Sequence, residues 1–96
     1  MLMLDDLNNI LENVLKEARR KWIEAWVERI KVSKRKFIVF MVVSNNKVKV
    51  IIYRDNIKVR VYSQLKGLSI SLKKIIQREY EKHVRLKERE SKEESI

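Results

Sequence analysis

Lys49, Tyr53, Lys58, Arg60 and Tyr62 combine cations with phenol rings at spacings that put them on one side of a β-sheet. Such a set can pair with phosphates while bases stack on the rings, the mode used on single strands. The same residues also make ordinary cross-strand neighbours, Lys49 with Tyr62 and Lys58 with Tyr53, with aliphatic stems packed on rings. Lys34-Arg35-Lys36 places three more cations on a short connection ahead of a strand, and Lys73-Lys74 adds two further on. Contacts of this kind to phosphates fix position and carry no sequence information. A Lys run also guards the edge of an apolar strand, so both readings of Lys34-Arg35-Lys36 stay open.

These residues belong to a wider concentration of charge. Residues 31 to 74 hold twelve Lys or Arg against a single acid, Asp55. Residues 1 to 30 hold five basic and six acidic groups, and residues 75 to 96 hold six of each. The net charge of +10 is therefore focused in the middle of the chain. A focused excess builds a field that attracts polyanions, whereas a dispersed one chiefly keeps a protein dissolved. Nucleic acid, DNA or RNA, is the first partner this implies. An acidic protein is the second, with the Lys residues steering association. An anionic membrane fits less well, because the charge falls on strands rather than along an amphipathic helix. No apolar run approaches a membrane span, and the early acids Asp5 and Asp6 do not suit a signal peptide, so a cytoplasmic location is expected.

Chemistry beyond binding finds little support. The chain has no Cys, which removes disulfides and thiolate metal sites. A restriction-like nuclease needs an acid and a Glu-X-Lys set on neighbouring strands to hold a divalent metal, but the one acid of the sheet region, Asp55, lies in a turn. Small RNA-cleaving toxins of α-β-β-β-α layout use a strand His, whereas the sole His, His83, falls on a helix among Glu79, Lys82 and Lys87. Glu24 and Glu28 stand one helical turn apart beside Lys21 and Arg29, which suits surface pairing. No catalytic residue, metal or cofactor is expected.

The elements that position these groups follow from hydrophobic periodicity. From Leu4 to Ile30 apolar residues recur at spacings of three and four, including Leu7, Leu11, Leu15, Ala18, Trp22 and Trp26, which predicts one long amphipathic helix. Phe37 to Val43, Lys47 to Arg54 and Ile57 to Ser63 read as three strands, joined by two-residue turns at Asn45-Asn46 and Asp55-Asn56. These turns pair Val39 with Ile52, Met41 with Val50, Ile52 with Val59 and Val50 with Val61. One face is then Phe37, Val39, Met41, Val43, Val48, Val50, Ile52, Ile57, Val59 and Val61. The other grades from Ile38, Phe40 and Val42 to Lys47, Lys49, Ile51 and Tyr53, then Lys58, Arg60 and Tyr62. After Gly67, Ser69 or Ser71 can cap a second helix with Leu72, Ile75, Ile76, Tyr80 and Val84 in its apolar stripe. The expected fold is a single α+β domain over residues 1–86, a three-stranded antiparallel meander in the order α-β-β-β-α, with 87–96 a charged, frayed tail.

That order resembles the double-stranded RNA-binding domain, which also sets a three-stranded antiparallel sheet between two helices. The family's Gly-Pro loop between the second and third strands is replaced here by Asp55-Asn56, and Lys73-Lys74 echo its Lys-rich second helix. The composition, rich in Lys, Glu and Ile with few loop residues, resembles that of small basic proteins of hyperthermophilic archaeal viruses or plasmids, where ion-pair networks gain value with temperature. A helix of some 27 residues runs roughly 40 Å and strands of seven or eight about 25 Å, which leaves an overhang. The outer side of Ile38, Phe40 and Val42, on what would be an edge strand, raises the same question. A homodimer through Trp22, Trp26, Ile38, Phe40 and Val42 answers both, as does a helix that bends across the sheet.

Overall fold

The computed structural model describes the backbone of residues 1–94 and the side chains of residues 1–90. Leu4–Lys21 forms α1, Ala25–Val32 β1, Lys36–Val43 β2, Asn46–Tyr53 β3, Val59–Tyr62 β4 and Lys66–Glu94 α2. The sheet is an antiparallel meander in the order β1-β2-β3-β4. The α+β class and the helix-sheet-helix order hold, but the sheet has four strands where the sequence suggested three.

The extra strand comes from the second half of the expected long helix. Trp22, Trp26 and Ile30 repeat every four residues, which imitates a helical stripe. In β1, however, Ala25 and Val27 face the core, the register shifts between Val27 and Arg29, and Ile30 then takes up the inward position. A bulge inserts one residue and breaks the period-two signal. No Gly or Pro marks the helix end. Trp22 takes extended backbone after Lys21, and Arg19, Arg20 and Lys21 lie at the negative end of α1. Arg19 Nε donates to the Ala25 carbonyl at 3.1 Å and holds the corner.

The turn after β2 also differs. Ser44 and Asn45 have φ of 50° and 66°, and Val43 pairs with Asn46. Val39 therefore opposes Val50 and Met41 opposes Val48, a slip of two residues from the expected register. An even slip keeps every side chain on its face, so the inward residues of β2 and β3 are as anticipated. Ile52↔Val59 and Val50↔Val61 pair as expected. Ile57 instead sits in the loop, 43% exposed. Helix α2 starts ahead of both proposed cap residues, and Ser63 Oγ lies 2.6 Å from Ser69 Oγ. The expected boundary at residues 86/87 falls inside α2, with Lys87 Nζ still 2.9 Å from Asp6. Residues 95 and 96 of the expected tail lie outside the described residues.

Both helices lie on one face of the sheet. Leu7, Ile10, Leu11, Val14 and Ala18 of α1 and Leu68, Leu72, Ile75, Ile76 and Tyr80 of α2 share a core with Phe37, Val39, Met41, Val43, Val48, Val50, Ile52 and Val59. The Tyr80 hydroxyl donates to the Tyr53 carbonyl at 2.7 Å, tying α2 to the edge of β3. Arg54 is structural: it donates to the Leu2 and Ser33 carbonyls and lies over the Phe37 ring. Two of the premises for a homodimer change in this arrangement. With α1 ending at Lys21 the long overhang disappears, and β2 is an interior strand flanked by β1 and β3.

One carboxylate joins the two helices. Asp6 accepts from the Met3 amide at the start of α1 and from His83 Nε2 at 2.9 Å on α2, with Lys87 beside it. Burial pushes its pKa up, but the hydrogen bonds from Lys87, His83 and Met3 outweigh that and lower it to about 2. A carboxylate depressed on folding contributes stability above its unfolded pKa of about 3.9 and loses it as pH falls through the folded value. We expect Asp6 to contribute about 1 to 2 kcal/mol above pH 4, allowing for solvent screening, and to lose it toward pH 2. Asp6→Asn should flatten this stretch of a stability-against-pH curve measured by urea unfolding; an unchanged slope would deny the cluster its role. The turn gives a second expectation. Ser44→Asn with Asn45→Gly supplies the residue pair best suited to two positive φ values and should stabilise the protein by about 1 kcal/mol in the same assay.

Candidate nucleic-acid interface

With the helices on one face, the register assigns the residues of the other. Across the strands the rows are Trp26, Val42 and Lys47; then Arg29, Phe40, Lys49 and Tyr62; then Lys31, Ile38, Ile51 and Arg60. A last row holds Lys36 and Tyr53, beside Lys58, whose carbonyl accepts from the Tyr53 amide. Val42, Phe40 and Ile38 form an apolar spine along β2. Cations flank it on both sides.

The spine stays partly open to solvent. Val42 is buried beside Trp26, Phe40, Ile38 and Ile51 are half-buried, and Trp26 and Tyr62 are 42% and 49% exposed. The Arg29 guanidinium lies 4.4 Å from the Phe40 ring centroid, with Lys31 Nζ 6.0 Å away. Lys58 Nζ lies 5.9 Å from the Tyr53 ring. These are cation-π distances, which let aliphatic stems cover apolar surface while the charges remain in water. Side-chain hydrogen bonding to Tyr62, with Tyr53 on the next strand, raises the Arg60 pKa. Open depressions flank the face at its two ends, one lined by Asn45, Asn46, Lys47, Tyr62, Ser63 and Gln64, the other by Arg35, Lys36, Tyr53, Asn56 and the acid Asp55.

The fold thus brings Lys36, Lys47, Lys49, Tyr53, Lys58, Arg60 and Tyr62 onto one face. It adds Trp26, Ile38, Phe40 and Val42, which the sequence had suggested for a partner interface. Lys34 and Arg35 lie in the β1–β2 turn at one end of the sheet. Lys73 and Lys74 are on α2, in the layer that covers the opposite face, and do not join the set. Trp22 is elsewhere too, half-buried against the core after α1 with Lys21 Nζ 5.5 Å from its ring. Arg29 and Lys31 were missed as face residues because β1 had been read as helix. The alternation Arg29-Ile30-Lys31-Val32 was the available signal, masked by the bulge before it.

Among the described residues no group of three His, Cys, Asp or Glu side chains could hold a metal ion. His83 faces Asp6 between the helices. Among the described residues, no helix is long and apolar enough to cross a membrane. No protein-family model matches the chain, and neither the curated proteins nor the solved structures contain a significant match to it.

Proposed function

We propose that the protein binds nucleic acid on the open face of its sheet, with phosphates held by the cations and bases resting against the rings. The observation that carries this reading is the register: Arg29, Lys31, Lys36, Lys47, Lys49, Lys58 and Arg60 share one face, and no acid occupies a ladder position among them. No two of these cations are direct cross-strand partners, but seven like charges on one face still repel at longer range, so folding alone does not favour such a set. A polyanion converts the repulsion into binding energy by releasing its own counterions. The apolar spine supports an alternative, an acidic protein partner seated on Trp26, Phe40 and Val42, which becomes the better reading if nucleic acid does not bind.

The test is fluorescence anisotropy of labelled DNA and RNA oligonucleotides across a salt series. With about five phosphate contacts, log K should fall against log salt with a slope of roughly −3.5 for single strands or −4.5 for duplex. Lys49→Ala with Arg60→Ala should weaken binding, reduce that slope by about 1.5 and leave the melting temperature nearly unchanged, since both side chains are exposed. Lys73→Ala with Lys74→Ala, on the other layer, should leave affinity close to wild type. No binding at low salt would sink the proposal.

A further inference from the structure

Resting on that reading, we infer that the ligand of the open face is a single strand, with unpaired bases on the apolar spine and rings, rather than a duplex. Three observations lead there. The first is width. Four strands spaced about 4.8 Å apart put roughly 14 Å between the outer strand axes before side chains are counted, while the major groove of B-DNA is about 12 Å wide and admits a helix or a two-stranded ribbon. This face cannot enter the groove and could only rest on the backbone ridges.

The second is the chemistry of the middle of the face. Ile38, Phe40 and Ile51 are half-buried and lie between cations on both sides. Backbone ridges would set charged phosphates and sugars against this strip, which removes water from polar groups and returns no partner. An unpaired base offers an apolar flat surface to the strip and leaves its phosphates free to reach the flanking charges.

The third is the placement of the rings. Arg29 already lies over Phe40 and Lys58 lies 5.9 Å from the half-buried Tyr53, so the rings most open to a base are Trp26 and Tyr62, with Tyr53 open in part. Tyr62 is opposite Lys49, one strand over and four residues along from Tyr53, a separation of about 14 Å. Arg60 lies between them and is placed to take an intervening phosphate. Ring, cation, ring along β3 and β4 gives a path for a few unstacked nucleotides, with Trp26 at the far corner of the face.

The experiment compares three probes of equal length in the same anisotropy assay: oligothymidylate, its duplex with oligodeoxyadenylate, and an abasic deoxyribose-phosphate strand. Oligothymidylate should bind at least about tenfold more tightly than the abasic strand, and more tightly than the duplex. Tyr62→Ala should cost it about tenfold and leave abasic binding and the salt slope unchanged, while Tyr62→Phe, which keeps the ring, should stay near wild type. In a Trp22→Phe protein the remaining fluorescence comes from Trp26, and the base-bearing strand should quench it while the abasic strand does not. Equal affinity for abasic and base-bearing strands, or tighter binding of duplex, would overturn the single-strand inference and leave the polyanion reading standing. Failure of all three probes at low salt would overturn both.

Discussion

Burying Phe37, Val39, Met41 and Val43 under two helices constrains everything on the other side of the sheet. Side chains alternate along a strand, so fixing one face of β2 fixes Lys36, Ile38, Phe40 and Val42 on the opposite face. Pairing then carries the assignment outward in both directions, to β1 and β3, and from β3 to β4. The bulge in β1 belongs to the same constraint. Without the extra residue, Ala25 and Val27 pointing inward would force Arg29 and Lys31 inward as well, into a core that offers them no partners. With it, Ile30 fills the inward position and both cations reach solvent.

Legibility in the sequence followed the strength of local periodicity. The apolar faces of β2, β3 and β4 could be read because period-two patterns on neighbouring segments agreed, and agreement survived a mistaken turn because the error was an even slip. Placing the turn at Ser44-Asn45 was beyond the sequence pattern, since Ser, Asn and Asn are all compatible with turns and only the backbone decides which two take positive φ. β1 was illegible for a different reason. Trp22 and Trp26 carry on the helical spacing of α1, no helix breaker intervenes, and the bulge removes the alternation that would have identified a strand. Arg29 and Lys31 were lost from the candidate face with it, while the same misreading created an overhang and an edge strand that seemed to require a second copy of the chain.

Tertiary contacts that cross the whole chain were beyond local patterns. Asp6 looked like an acid suited to the positive end of α1, and it does accept from the Met3 amide there. Its further partners, His83 and Lys87, are more than seventy residues away in sequence and meet it only because α1 and α2 pack side by side on the sheet. The sole His of the chain thus lies in a helix-to-helix contact. Arg54 is a similar case, a cation of the basic middle segment whose donors are committed to the Leu2 and Ser33 carbonyls.

That division between committed and uncommitted cations bears on function more than the total charge does. Arg54 is spent on backbone carbonyls, Arg78 pairs with Glu17, and Lys87 pairs with Asp6. On the open face, Arg29 and Lys58 are instead held by rings. A ring fixes the position of a cation without neutralising it, and a stacked guanidinium still presents its N–H edge to an anion. Replacing those rings with carboxylates would relieve part of the repulsion among the cations of the face, but it would also weaken the field. The pairing found here orders the long side chains, covers part of the apolar spine and leaves the positive charge available to a ligand.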